Sequence, residues 1–167
     1  DRGSYTNLND IPKEFDMNSY DYKDKDLYVY DMDNSTLTQF TKDKHANESS
    51  VVSSPDGKKV LFISDRNGID NIWFRNLETN EERPITNSID PISLLSLSAD
   101  GKRLAFTALN KGGYDIFYVE NPFDIDISMK ELPNTIFVQK MIDERTKTMT
   151  FSDSMKVLSD SLFTIVN

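Results

Sequence analysis

The sequence contains no cysteine and a single histidine, His45. The lack of thiols excludes disulfides, thiolate catalysis and cysteine-based zinc sites. Long hydrophobic runs are also absent, because the longest purely apolar run, Val60–Ile63, is far too short to span a bilayer. No signal-peptide pattern is present, and the first residue is Asp1 instead of methionine. We therefore expect a processed chain or a piece of a longer one, without membrane insertion.

Acidic residues outnumber basic ones, 28 to 19, so the formal net charge is −9. An acidic surface repels phosphate, which disfavours binding to nucleic acid or to anionic membranes. The composition, 37% hydrophobic and 11% aromatic, is that of a globular protein with one core or part of a larger one. Phosphate loops, dinucleotide fingerprints and His-Glu-x-x-His helices are absent. We therefore predict no cofactor and no metal.

The chain repeats itself. Ser54–Phe62 (SPDGKKVLF) recurs as Ser98–Phe106 (SADGKRLAF), an offset of 44 residues. The apolar run Asp70–Phe74 recurs as Tyr114–Val119 in the same register. Asp26–Tyr30 resembles the first of these runs and indicates a partial upstream copy. A period of this length is typical of solenoids, propellers and other repeat arrays.

Each repeat reads as four short strands, because its apolar runs are rich in Val, Ile, Phe and Tyr and end at turn residues. Asp56-Gly57 and Asp100-Gly101 fit tight hairpins, since glycine accepts a positive φ without steric cost. Short turns between all neighbours predict an antiparallel meander. In the complete repeat we expect strands at about 49–53, 58–64, 70–76 and 82–86.

The strands are apolar on both of their faces. Val60–Ile63, Ile72–Phe74 and Ile116–Val119 show no alternation of apolar with polar residues. Such strands must be covered on both sides, yet no helical pattern lies between them. Stacking each sheet on the next solves this problem. The pattern therefore predicts an all-β fold of β-propeller blades, each a four-stranded antiparallel meander.

Three motifs resemble the WD-like repeats of TolB-type propellers: Ser54–Lys58, Ser64–Gly68 and Asp70–Trp73. Similar repeats occur in tricorn-type proteases and in the propeller domains of prolyl oligopeptidases. The resemblance covers about residues 26–119, and Asp1–Gly3 is similar to the end of one such turn. It implies a bacterial periplasmic or secreted protein that binds other proteins.

The second copy departs from the family pattern. Ala99 stands in place of proline, and Ala108–Asn110 replace Ser-Asp-Arg. Propellers have four to eight blades, and this chain shows fewer, so we expect a fragment of a larger propeller. Its open faces require missing chain, a partner or self-association. We divide the propeller region 1–123 into a partial blade 1–41, a full blade 42–86 and a partial blade 87–123.

Residues 124–167 do not continue the repeat clearly. Thr135–Val138 fits the missing outer strand of the last blade, and Thr148–Phe151 fits another strand. The remainder is a linker or the start of another region. A helical alternative rests on apolar residues at helical spacing, namely Met155, Leu158, Leu162 and Val166.

No catalytic residue is predicted. A Ser-His-Asp triad would have to use His45, which lies in the polar segment Lys42–Asn47 and reads as a loop histidine. No Gly-x-Ser-x-Gly elbow exists in the chain. If the chain belongs to a peptidase, the catalytic domain lies elsewhere.

Other candidates also have structural interpretations. Asp65–Asp70 resembles a calcium loop, but its twelfth position would be Asn76 instead of glutamate. We interpret it as a turn, with Asp65 bonded to local amides and Arg66 paired with a carboxylate across blades. One set of acidic residues is interpreted as a solvated surface: Asp21, Asp24, Asp26, Asp31 and Asp33. One set of aromatic residues is interpreted as packing within the blades: Trp73, Phe74, Phe117 and Tyr118.

Three functional hypotheses follow. The first is a non-catalytic propeller scaffold that binds a protein partner in the bacterial cell envelope. The second is the propeller portion of a tricorn-type or prolyl-oligopeptidase-type serine peptidase, which gates access to a catalytic domain outside this chain. The third is a sugar-binding or lyase propeller. In a scaffold the rim loops carry recognition, and here they are 3–25, 42–48 and 109–113.

Overall fold

The structure is a computed structural model that describes residues 25–43, 46–144 and 146–147. The chain divides into two compact units, Asp1–Pro133 and Asn134–Asn167. The described part of the first unit is built from β-strands, and that of the second is helical at 136–144 and 146–147. No helix within the described ranges is long and apolar enough to cross a membrane.

Three antiparallel sheets form the described part of the first unit, and we name them A, B and C in chain order. Neighbours in sequence are neighbours in each sheet, so every sheet is a meander as predicted. Sheet A contains β1 (Tyr28–Asp31) and β2 (Thr36–Gln39). Sheet B contains β3 (Glu48–Ser53), β4 (Lys59–Ser64), β5 (Asn71–Asn76) and β6 (Glu82–Pro84). Sheet C contains β7 (Ile92–Leu97), β8 (Arg103–Asn110) and β9 (Gly113–Glu120).

The hairpins after β3 and β7 have the same internal structure. Gly57 and Gly101 have φ values of 70° and 72°, which explains the glycine at each position. The Ser54 hydroxyl donates to Asp56 (2.5 Å), and the Ser98 hydroxyl donates to Asp100 of its own turn (2.6 Å). The repeated motif therefore encodes one hairpin twice.

The repeat extends to a backbone irregularity that the sequence did not reveal. A β-bulge interrupts β3 between Ser49 and Val52, and another interrupts β7 at Ser93 and Ser96, 44 residues later. Within the bulges Ser50 and Leu94 take positive φ values of 49° and 57°. Since neither residue is glycine, the conformation is set by the sheet and not by the local residue type.

Sheet B is covered on both faces, as its two apolar faces predicted. One face packs on sheet C through a core of side chains from both sheets, listed here: Leu61, Ile63, Ile72, Phe74, Ile85, Ile92, Leu104 and Ala108. The other face, carrying Val60, Phe62 and Trp73, packs against Leu27 and Phe40 at the ends of sheet A and against Leu132. The expected stacking of consecutive sheets is therefore present.

The chain leaves the repeat after β9. A 3-10 turn at Pro122–Asp124 follows, and the carbonyl groups of Phe123 and Ile125 accept hydrogen bonds from Arg83 of β6. Farther on, Ile127 and Met129 join the core on the other face of sheet B. The segment thus passes along the β6 edge of sheet B instead of adding a fourth strand to sheet C.

The expectation of an outer strand at Thr135–Val138 is wrong. Residues 136–138 are helical, and the amide of Gln139 bonds to the Thr135 carbonyl, as in a helical turn. The Thr135 hydroxyl accepts a hydrogen bond from the Val138 amide, which caps the helix at its start. The blade boundaries proposed above stay a prediction. The predicted elements at 1–24 and at 148–167 lie outside the described residues.

Candidate functional site

A polar cleft lies where the end of sheet A meets sheet B, and its volume is about 460 Å³. The segment that follows β2 forms one wall, and strand ends and a turn of sheet B form the other. Its lining residues are Gln39, Phe40, Thr41, Lys42, Asp43, Arg66, Asn80, Arg75 and Glu82. The cleft includes the start of the predicted recognition loop 42–48.

Arg66 is held in place by stacking, ion pairs and a hydrogen bond. Its guanidinium lies over the Trp73 ring, 4.1 Å from the ring centroid. It forms ion pairs with Asp43 (3.1 Å) and with Glu82. The Arg66 Nε also donates to the Ser64 hydroxyl (3.2 Å). Stacking and ion pairing together fix a planar cation that has little freedom left to lose on binding.

Arg75, on strand β5, is held in a similar way. Its guanidinium lies 4.5 Å from the centroid of the Phe40 ring and donates to the Phe40 carbonyl (2.9 Å). It also lies 3.7 Å from Glu82 Oε2, so one carboxylate is shared by two arginines. Glu82 thereby connects Arg66 and Arg75 across sheet B.

A buried glutamate lies beside this network. Glu48 is 3% exposed and accepts a hydrogen bond from the Ser64 hydroxyl (3.0 Å), while its Oε2 has no partner among the described residues. Burial raises the pKa of the Glu48 carboxyl to about 7, against hydrogen bonds from Thr41 and Ser64 and the charge of Arg66, which lower it. The Ser64 hydroxyl, which donates to Glu48 and accepts from Arg66, links the buried carboxyl to the network.

The cleft differs in charge from the rest of the chain. Three cations and two carboxylates line it, so it carries one net positive charge in a chain of net charge −9. Both carboxylates are already paired with Arg66. Lys42, at the rim, has no ion pair within the described part of the chain, whereas the Gln39 side-chain amide donates to Asp26 (2.9 Å). Such a surface can bind a polar or acidic polypeptide segment.

The structure assigns several sequence candidates to structural roles. The Asp65 carboxylate accepts hydrogen bonds from the backbone amide (2.6 Å) and the side-chain amide (3.0 Å) of Asn47, the residue before β3, so its bonds are not local as expected. Asp31 accepts three hydrogen bonds from its own turn, which lower the pKa of its carboxyl. His45, Asp21 and Asp24 lie outside the described residues, and the rest show no metal-binding cluster.

The aromatic candidates divide into two groups. Trp73 and Phe74 are buried in the two cores of sheet B, as the packing interpretation predicted. Phe117 stacks on Phe106 within sheet C (5.8 Å between centroids), whereas Tyr118 is largely exposed. Sequence reasoning identified Arg66 as an ion-pairing residue, but its partners Asp43 and Glu82 lie within the predicted full blade 42–86 and not across blades as expected. It missed Arg75 and Glu82, which no motif marked.

Comparisons with known proteins identify the fold through solved structures. No family model and no curated protein matches the chain. Among solved structures, the putative TolB from Agrobacterium tumefaciens superposes with a TM-score of 0.52 at 21% identity, covering 59% of this chain and 38% of that protein. The sheets are blades of a β-propeller. This confirms the predicted fold class and the TolB-type likeness.

Two further structures are similar over shorter fractions of their length. TolB from Acinetobacter baumannii gives a TM-score of 0.49 at 24% identity, covering 57% of this chain and 24% of that protein. The tricorn protease gives 0.42 at 20% identity, covering 55% and 9%. The chain thus spans well under half the length of each propeller that it resembles.

Proposed function

We propose that this chain is a protein-binding propeller region without catalytic groups of its own, which acts in the periplasm or outside a bacterial cell. One observation carries the proposal: the cleft at Gln39–Asp43 presents two arginines fixed on aromatic rings and joined by Glu82. Fixed arginines and aromatic rings are enriched at protein interfaces. The TolB likeness, which the repeat motifs implied, supports an envelope location.

The partner contacts the cleft through an acidic or polar extended segment. The net positive charge of the lining attracts carboxylates, and the overall acidity of the chain repels them elsewhere. Lys42 is exposed at the rim and makes the first contact. Rim charges set the association rate and its salt dependence.

Affinity capture from a bacterial envelope extract tests this function. The full chain is immobilised, and retained proteins are compared by quantitative mass spectrometry with those retained by Lys42→Glu. We expect one protein or complex to be lost selectively from the variant. Lys102→Glu, which reverses an exposed lysine outside the cleft, is the matched control and retains it. Equal retention by Lys42→Glu and the unmodified chain overturns the assignment of the cleft.

A further inference from the structure

Three carboxyl groups converge on the guanidinium of Arg66. Asp43 (3.1 Å) and Glu82 form ion pairs with it at the wall of the cleft. Glu48 has no ion pair among the described residues and is connected to the Arg66 Nε through one intervening hydroxyl, that of Ser64. The Glu48 carboxyl therefore lies two hydrogen bonds from a cation that the cleft presents to its partner.

Glu48 is enclosed by the protein. The residue is 3% exposed, it is not among the residues that line the cleft, and its Oε2 has no hydrogen-bond partner in the described part of the chain. A carboxylate buried in this way lacks both water and a full set of donors, so its ionisation depends on the nearby positive charge. The protonation of Glu48 thus responds to whatever else is paired with Arg66.

The groups that act on the Glu48 carboxyl come from two neighbouring parts of the chain. The end of β4 and the turn after it contribute the Ser64 hydroxyl and Arg66, which favour the ionised form. The segment after β2 contributes the Thr41 hydroxyl, which also favours it, and Asp43, which opposes it. Burial outweighs the favourable contacts and raises the pKa of Glu48 to about 7. A modest change in the charge of the cleft is therefore enough to change its protonation near neutral pH.

Other elements also lie beside the start of β3. Strand β7 of sheet C packs along β3, and its residues Ile92–Leu97 are all uncharged. Asp65, in the turn after β4, directs its carboxylate to Asn47. Lys25 contributes its backbone carbonyl, which accepts the Glu48 amide (2.7 Å). Within the described part of the chain, Arg66 and Asp43 are the charged side chains that act on Glu48.

We propose that an acidic segment bound in the cleft drives the uptake of a proton at Glu48, so that partner binding weakens as pH rises. This coupling rests on the protein-binding function proposed above. A ligand carboxylate beside Arg66, Arg75 or Lys42 adds negative charge near Glu48, which favours the neutral acid. Conversely, an ionised Glu48 cancels the one net positive charge of the cleft lining. Because linkage is reciprocal, a ligand that favours the proton is itself favoured by the proton.

The direction of the pH dependence follows from the free protein. Below about pH 7, Glu48 holds its proton before the partner arrives, and affinity is at its highest. Above this pH the free protein has released the proton and takes it up again on binding. The dissociation constant should therefore rise about fivefold or more between about pH 6 and about pH 9.

Isothermal titration calorimetry on the full chain tests the coupling with a defined probe, an acetylated and amidated Asp-Ser-Asp-Ser-Asp peptide. Titrations at about pH 7.5 in two buffers of different ionisation enthalpy measure proton uptake without any variant. We expect net uptake by the unmodified chain, together with the rise in Kd. The peptide carboxylates stay ionised throughout this range, so they do not add to the proton balance. Lys42→Glu should weaken binding at every pH, which locates the peptide in the cleft.

Glu48→Gln keeps the shape of the side chain but cannot ionise. It should bind the peptide without proton uptake and with equal affinity at about pH 6 and about pH 9. Two controls should keep the pH dependence of the unmodified chain. Glu78→Gln neutralises an exposed glutamate outside the cleft, and His45→Gln removes the single histidine, whose ordinary pKa also lies near neutral pH.

The outcomes separate the coupling from the binding function. Peptide binding that does not change with pH in the unmodified chain overturns the coupling and leaves the function intact. A pH dependence that persists in Glu48→Gln, or that disappears in His45→Gln, does the same. Failure of the peptide to bind at any pH, to the unmodified chain and to Glu48→Gln alike, overturns the acidic-partner function and the coupling with it.

Discussion

The ring of Pro55 lies directly over Gly101, so that a Cβ added to Gly101 would stand 2.6 Å from the Pro55 Cδ. These residues belong to the equivalent hairpin turns of two consecutive blades. Blade B therefore touches blade C through the turns as well as through the core. The second copy of the motif has Ala99 where the first has Pro55, so the contact is not repeated in the chain.

Gly101→Ala should destabilise the protein more than Gly57→Ala. Both glycines have a positive φ, which costs an alanine about 1 kcal/mol at either site. Only at Gly101 does the new methyl group meet another residue, since Gly57 has open space around it. We expect the difference in the free energy of unfolding to be about 1–3 kcal/mol, measured by urea denaturation. Equal losses would show that the turns of the two blades are not in contact.

Ile72→Ala and Ile116→Ala should differ strongly, although the residues are equivalent in the repeat. Ile72 is fully buried between blades B and C, so its truncation should cost about 2–5 kcal/mol of unfolding free energy. Ile116 is exposed, and its truncation should change stability by less than about 0.5 kcal/mol in dilute monomer. Thermal and urea unfolding at low protein concentration measure both. A comparable cost at Ile116 would place that face inside the monomer core.

Glu48 should make stability fall as pH rises. Its folded-state pKa is about 7, above the ordinary value of 4.5, so the unfolded chain releases this proton first. Below about pH 4.5 the buried carboxyl does not lower the free energy of unfolding, and above about pH 7 it lowers this free energy by about 3 kcal/mol. Glu48→Gln, which cannot ionise, should therefore flatten the decline measured by urea unfolding from about pH 5 to about pH 8.5.

The matched control for this experiment is Glu78→Gln, at an exposed glutamate paired with Lys58. It should leave the pH profile unchanged in shape. The charged neighbours of Glu48 are Arg66 and Asp43, which act on its pKa in opposite directions. A decline that persists unchanged in Glu48→Gln would assign the pH dependence to another group.

Arg66→Lys should loosen the cleft even though it keeps the charge. Lysine cannot stack a planar group on Trp73 while also holding Asp43 and Glu82. We expect a loss of about 1–2 kcal/mol in unfolding free energy and a shift in tryptophan emission, which reports on this site because Trp73 is the one tryptophan of the chain. Arg103→Lys, at an exposed arginine, serves as the control. Unchanged emission in Arg66→Lys would contradict the stacked geometry.

The fold was accessible from the sequence because its determinants are local. Asp56-Gly57 specifies a hairpin, and the unbroken apolar run Val60–Ile63 requires cover on both faces. The cleft was not accessible, because Arg75 and Glu82 lie on different strands and no local pattern marks them. The outer strand expected at Thr135–Val138 was wrong, because these residues begin a helix in which the Thr135 hydroxyl and carbonyl accept hydrogen bonds from the amides of Val138 and Gln139.

Methyl NMR spectroscopy tests the central claim, that blades B and C stack face to face. With isoleucine and leucine methyl groups labelled, nuclear Overhauser effects should connect Ile63 and Ile72 of one blade with Ile92 and Leu104 of the other. The methyl groups of Ile116 should show none of these contacts in dilute protein. Cross-peaks confined to residues within each blade, with none between Ile72 and either Ile92 or Leu104, would contradict the stacking on which the account rests.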